Sequence, residues 1–265
     1  MSGERVILSE IKTIQEYVIF LKEKFIYNWT KELVGEDDFC LDLGCGDGYG
    51  TKLLASRAKE AVGVDIDERT IERAVEKYGS ENCKFQKYDG KKLPFPEETF
   101  DLVACFHVIE HVKDDISFIS EIFRVLKKGG DLILSTPNKI LRLPRGQKPW
   151  NIYHVREYRP LELESVLKRV FKEISLSGIS AREDIMEFEK KRFQKNLKIA
   201  AWDFLNLRRV ISRRITREII KLLHLFLNLR KTESLNPQSL LEESGLFKIS
   251  QDLENCLDIL ALCKK

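Results

Sequence analysis

A chain of 265 residues, 43% hydrophobic and 33% charged, has room for one sizeable core and too much apolar content to stay disordered. Its apolar runs break well before the ~20 residues a membrane span needs, and the start, Met1-Ser2-Gly3-Glu4-Arg5 with Glu10, Lys12 and Glu16 following, offers no apolar stretch for a secretory signal, so a cytoplasmic protein is expected. The net charge of +3 averages two unlike parts: Lys190 to Lys231 holds 13 Lys or Arg against Asp203 and Glu218, which leaves −8 for the rest.

In chain order, a helical pattern over 9–34 precedes an apolar run at 39–43, which reads as a strand. Helical patterns over 50–58, 68–78, 114–127 and 160–170 then alternate with strand patterns over 60–65, 83–88, 100–106, 131–136 and 171–179. Gly129-Gly130 reads as the end of the 114–127 helix. Such alternation predicts an α/β fold, a doubly wound and mostly parallel sheet with helices on both faces. From Ile179 to Asn236 there is neither Gly nor Pro, which predicts a helical excursion before one last strand at Cys256–Cys263. Cysteines 40, 45, 83, 105, 256 and 263 form no CxxC pair and lie mostly in apolar runs, so they read as reduced, buried thiols.

The strand Phe39-Cys40-Leu41-Asp42-Leu43 leads into Gly44-Cys45-Gly46-Asp47-Gly48 and a helix. Missing β-carbons let backbone amides approach a ligand there. A dinucleotide fingerprint wants a small residue where Tyr49 stands, and no register supplies the GxxxxGK of a phosphate loop. Asp42 and Asp47 would repel a pyrophosphate but suit a ligand bearing a sulfonium and an ammonium group, which describes S-adenosylmethionine.

On these residues the chain resembles the class I S-adenosylmethionine-dependent methyltransferases, in the small-molecule branch that includes ubiquinone-pathway enzymes. Leu41 to Gly48 looks like the first motif of that family and Val62-Gly63-Val64-Asp65-Ile66 like its acidic second-strand end. Leu93-Pro94-Phe95-Pro96 with Phe100-Asp101, and Arg124 to Gly130, match the small-molecule branch. The resemblance implies a seven-stranded sheet whose last strand is antiparallel. It also implies a cofactor site built from Asp42, Gly44, Cys45, Gly46, Asp65, Ile66, Asp89, Gly90 and Phe106. In it Asp65 accepts from the ribose hydroxyls, Ile66 packs on the adenine, and Asp89, beside Gly90, takes the adenine amino proton.

Three of the four histidines fall near the end of the fourth strand and the loop after the fifth, in His107-x-x-Glu110-His111 and His154-Val155-Arg156-Glu157-Tyr158. A histidine can take the proton of an attacking hydroxyl, with His154 the first candidate for this base and His107 the second. A similar ExxEH segment binds a divalent ion in ubiquinone-pathway and small-RNA 2′-O-methyltransferases, so a metal held by His107, Glu110, His111 and His154 is an alternative; such a set would favour a borderline transition ion over magnesium. A purely structural hydrogen-bonded loop is a third reading, with Arg156 and Glu157 as an ion pair. Where many enzymes that methylate base amines carry Asn/Asp-Pro-Pro-aromatic, this chain has Cys105-Phe106-His107-Val108. An oxygen acceptor, hydroxyl or carboxyl, therefore fits better than a nucleobase, the acceptor being a small molecule, glycan or lipid-linked species. A catalytically silent cofactor-binding scaffold and an RNA methyltransferase are the alternatives.

The excursion divides the chain into a methyltransferase domain at 1–181 and 236–265 and a basic amphipathic insertion at 182–235. Phe204, Leu207, Ile211, Ile215, Ile219, Leu222, Phe226 and Leu229 form one helical stripe, opposed by Arg208, Arg209, Arg213, Arg214, Arg217 and Lys221. Such a stripe must meet protein, as a cap or in a homodimer, or lipid, as a peripheral contact of 199–230 at the inner membrane face. Nucleic acid is disfavoured because few stacking aromatics accompany the charge.

Overall fold

The apolar runs become strands of a single sheet in the computed structural model, which describes residues 11–143, 149, 151, 153–202, 240 and 245–265. In chain order the elements are α1 (Ile14–Lys31), β1 (Phe39–Leu43), α2 (Tyr49–Ala55), β2 (Glu60–Asp65), α3 (Glu68–Tyr78), β3 (Cys83–Lys87), β4 (Phe100–Phe106), α4 (Asp115–Val125), β5 (Leu126–Pro137), α5 (Lys139–Arg142), α6 (Pro160–Leu167), β6 (Glu173–Ala181), α7 (Glu183–Trp202), β7 (Phe247–Ser250) and β8 (Asp258–Lys264). The sheet order is β3-β2-β1-β4-β5-β8-β6-β7.

Strands β1 to β5 are parallel, with Asp42 level with Gly63 on one side and Ala104 on the other. Their C-terminal ends therefore share one edge of the sheet. The chain proceeds from β1 to β2 and β3 in one direction and returns to β4 and β5 in the other, so the crevice between β1 and β4 is a topological switch point, where open α/β sheets take ligands. Strand β8 runs antiparallel between β5 and β6, and Pro137 faces Asp258. That register brings the first residue of β8 to the ligand edge.

One face is covered by Val18, Phe20, Leu21 and Ile26 of α1, Leu54 and Ala55 of α2, and Ile185 and Phe193 of α7. The other is covered by Phe118, Ile119, Ile122 and Val125 of α4 and Leu163 and Leu167 of α6. The three-four spacing in α4 is what turns all four side chains inward, and each fully buried residue of this kind contributes about 1.5–3 kcal/mol. The Thr13 and Glu16 capping box starts α1 inside the expected 9–34 span.

Two sequence expectations need correction. Gly129-Gly130 does not end a helix: α4 stops at Val125, Leu126 already pairs with Phe100, and the register shifts before Leu102 pairs with Asp131. Gly129, with φ of +77°, turns the chain in that irregularity, and its N–H donates to the Lys265 carbonyl. The sheet also has eight strands where seven were expected, because Phe247–Ser250 adds an antiparallel edge to β6. All six cysteines are free and buried. Of the 182–235 insertion, α7 forms the beginning; the stripe from Phe204 to Leu229 lies outside the described residues. Among the described residues no helix is long and apolar enough to cross a membrane.

Candidate active site

At the end of β1 the glycine loop folds back on β2. The N–H groups of Gly44 and Cys45 both donate to the Val64 carbonyl, at 2.8 and 3.0 Å. The Gly46 N–H donates to Asp65 Oδ2 at 3.2 Å, while Asp65 Oδ1 accepts from the Asp67 N–H at 3.0 Å. Gly44, Gly46 and Gly48 all have positive φ, a backbone that L side chains rarely adopt. Next to Asp65, Ile66 is a large apolar side chain left 61% exposed. A β-carbon on Gly90 would lie 3.3 Å from Ile66 Cγ2, so the β2 and β3 ends meet there. Asp89 is exposed, and its Oδ1 accepts from the Lys91 and Lys92 N–H groups; these bonds hold its carboxyl below the usual range.

Asp42, in β1 just before the loop, is fully buried. Its Oδ1 accepts from the Tyr27 hydroxyl at 2.9 Å and its Oδ2 from the Thr51 hydroxyl at 2.7 Å. The Tyr27 ring stands edge-on to Phe106, 4.9 Å between centroids. The structure thus brings Asp42, Gly44, Cys45, Gly46, Asp65, Ile66, Gly90 and Phe106 along the ends of β1, β2 and β4 and the loop after β3, with Asp89 at the outer end. Tyr27 and Thr51 complete the group; sequence reading missed them because neither lies in a motif.

The histidines occupy the other side of the crevice. His107, directly after β4, has φ of +54°; its Nε2 lies 3.1 Å from Asp258 Oδ2 and its Nδ1 3.4 Å from Glu110 Oε1. Asp258 also pairs with Lys22 of α1 at 2.5 Å. Burial disfavours a charge on His107, but the Asp258 carboxylate outweighs it and Glu110 assists, so the imidazole pKa is pushed up to about 10. The pairing with Asp258 and Glu110 favours the protonated imidazole, which weighs against His107 as the alternative base.

Glu110, His111 and His154 come together, their ligating atoms all within 4.8 Å of one another. A short 3₁₀ turn, Ile109–His111, presents the first two, and the Glu110 carbonyl accepts from the Val155 N–H at 2.8 Å, which docks the second histidine segment. The His111 and His154 rings meet edge-to-face at 4.8 Å. Glu110 is fully buried; Thr136 Oγ1 donates to its Oε2, and its Oε1 has no hydrogen-bond partner, its nearest cation being His107. His107, expected as a fourth member, is turned to Asp258. Arg156 and Glu157 do not pair as expected: Arg156 binds Asp115, while Glu157 faces His154 and Arg142. Asp258, Lys22 and Arg142 carry no sequence signal of a site, since their roles come from β8, α1 and α5 converging.

A family model described as a methyltransferase domain matches residues 41–134. A "Probable S-adenosylmethionine-dependent methyltransferase" of Mycolicibacterium smegmatis is 32% identical over 214 residues, 77% of this chain and 80% of that protein. A protein of similar description from Mycobacterium tuberculosis is 36% identical over 140 residues, 52% of this chain and 50% of its own length. A ubiquinone biosynthesis O-methyltransferase of Leptothrix cholodnii is 30% identical over 119 residues, 42% of this chain and 50% of that one. The YcgJ protein of Bacillus subtilis shares the fold, with a TM-score of 0.55 at 20% identity over 91% of this chain and 98% of that one. With the glycine loop and acidic strand ends in place and a relative of this identity matched over most of both chains, the protein belongs to the S-adenosylmethionine-dependent methyltransferases.

Proposed function

We propose that the protein transfers the methyl group of S-adenosylmethionine to an oxygen, hydroxyl or carboxyl, of a small-molecule, glycan or lipid-linked acceptor. The observation that carries this reading is the Glu110–His111–His154 cluster, with Glu110 and His154 buried and His111 half-buried, across the switch-point crevice from the glycine loop. The glycine loop takes the methionine end of the cofactor, Asp65 the ribose, and Ile66, Asp89, Gly90 and Phe106 the adenine side; Asp42, expected to touch the cofactor, is fully buried with its oxygens on Tyr27 and Thr51 and so supports the loop from beneath. Methyl transfer is an in-line displacement: the acceptor oxygen forms a bond to the methyl carbon as the carbon–sulfonium bond breaks, and the acceptor proton passes to His154. The chain supplies proximity and orientation, the larger part of such catalysis. Likeness to ubiquinone biosynthesis O-methyltransferases over two-fifths of the chain lends this acceptor class support.

A divalent ion is the second reading, favoured by the converging ligating atoms and by the buried Glu110 Oε1, which makes no hydrogen bond and has only the His107 ring, 3.4 Å away, as a charged neighbour among the ion pairs described. One carboxylate and two imidazoles fit a borderline ion such as zinc better than magnesium. Bound there, the ion would lower the pKa of an acceptor hydroxyl. The basic segment at 199–230 is part of the same proposal, as the contact with an anionic membrane surface that carries a lipid-linked acceptor.

The test is transfer of label from methyl-tritiated S-adenosylmethionine into a cell extract, with products sorted by class. Label in small organic or lipid products as ethers or esters, reduced about 10²-fold or more by His154→Ala, is expected. Label confined to nucleic acid or to amine nitrogen would refute it, and cofactor binding with no transfer into any extract would favour the silent scaffold.

A further inference from the structure

Beside the cluster lies a buried ion pair for which the methyl-transfer reading has no use. Arg142, at the end of α5, and Glu157 are 4% and 3% exposed, and Arg142 Nε lies 3.3 Å from Glu157 Oε1. The same oxygen lies 2.9 Å from His154 Nδ1. Arg142 also stacks over the Phe193 ring of α7 at 5.3 Å, and its Nε faces Glu157 as an ion pair without a hydrogen bond. A buried ion pair is weak evidence for stability, because its desolvation offsets much of its attraction. What this pair does accomplish is directional. An ionised carboxylate only accepts, so the proton on that edge of the imidazole belongs to His154 Nδ1.

We propose that Glu157, itself held by Arg142, is a positioning residue that makes Nε2 the lone-pair nitrogen of His154 and turns it toward Glu110 and His111. This rests on the reading of the cluster given under Proposed function and serves either form of it, since a proton acceptor and a metal ligand both need that lone pair. His111 shows the same device built from different parts. Its Nδ1 lies 3.0 Å from the Tyr153 carbonyl oxygen, another group that only accepts, so its Nε2 is likewise the lone-pair nitrogen. Two neighbouring rings given the same tautomer by two unrelated acceptors, against one buried carboxylate, is an arrangement that a merely space-filling pair would not require. Outer partners of this kind fix ring orientation and raise the basicity of the working nitrogen.

The test is nitrogen-15 NMR of the full chain labelled in its histidine rings, recorded at a pH where the neutral form dominates, with His154→Gln to assign the resonances. The expected spectrum shows His154 with a protonated Nδ1 and an unprotonated Nε2. In Glu157→Gln an acceptor oxygen remains and the tautomer should be kept; in Glu157→Leu the Nε2-protonated form should rise at least severalfold. Co2+ added to the protein and followed by its visible absorption should bind about 10–100-fold more weakly to Glu157→Leu than to the wild type if the metal form of the reading holds. A wild-type His154 protonated on Nε2, or a folded Glu157→Leu with an unchanged tautomer, would overturn the proposal; if Glu157→Leu does not fold, the wild-type spectrum decides. Failure of the functional reading looks different: S-adenosylmethionine would not bind, while the tautomer stayed as stated.

Discussion

Replacing Tyr27 with Phe removes one atom from the link between α1 and the cofactor loop. The hydroxyl donates to Asp42 Oδ1 at 2.9 Å, and the ring, edge-on to Phe106, would stay in place. The loss is therefore that of one hydrogen bond to a buried, charged acceptor, about 1.5–3 kcal/mol. Thr51 still donates to the other oxygen at 2.7 Å, which puts the cost toward the lower end. At about 2–4 °C per kcal/mol for chains of this size, the melting temperature should fall by about 3–8 °C. Thr51→Val should cost a similar amount, and the double variant should depart from additivity by at least about 0.5 kcal/mol because both donors serve one carboxylate. Urea unfolding of the four proteins measures all of this. A Tyr27→Phe variant as stable as the wild type, or strictly additive losses, would show that Asp42 does not depend on α1.

Gly50→Ala should destabilise by about 1–3 kcal/mol in the same assay, since its β-carbon would sit 2.0 Å from the Tyr27 ring and either the ring or α1 must move; a gain in stability, as helix propensity alone would give, would contradict the packing. His107 should make stability fall with rising pH: its pKa is about 10 in the folded protein against ~6.5 unfolded, so the folded chain holds the extra proton between those values and the stabilisation, full below ~6.5, drains away toward about 10. Urea midpoints from pH 7 to 10 should show that slope, and His107→Gln should flatten it; equal slopes would refute the pairing with Asp258. Sedimentation with anionic vesicles should be salt-sensitive and lost when Arg208, Arg209, Arg213 and Arg214 are neutralised, and indifference to vesicles would remove the membrane contact from the proposal.

The geometry of the glycine-loop half of the candidate site was legible because it is written locally. A strand, a glycine run and an acidic residue at the next strand end are contiguous segments, and parallel pairing of β1 with β2 is enough to bring Gly46 to Asp65. The histidine half is assembled from distant parts. Lys22, His107 and Asp258 belong to α1, the end of β4 and the start of β8, and nothing in their own neighbourhoods announces that they meet. His154 and Glu110 were singled out by residue type, but that Glu157 turns away from Arg156 toward Arg142 depends on where α5 ends. The missed strand β7 has only four residues, Phe-Lys-Ile-Ser, too short for its alternation to stand out from a loop. Gly129 was misread because a glycine after a helix is most often its cap, and here a turn within β5 needs the same positive φ.

Calorimetric titration of the purified protein with S-adenosylmethionine tests the central claim most directly. Asp65 fixes the Gly46 amide, so Asp65→Ala loosens the loop and removes the proposed ribose acceptor together, and loss of even one charge-assisted bond of about 1.5–3 kcal/mol weakens binding by about tenfold or more. Binding by the wild type and that loss in a folded Asp65→Ala variant are the predicted results. Undiminished affinity in the variant, or binding of NAD in place of S-adenosylmethionine, would contradict the account.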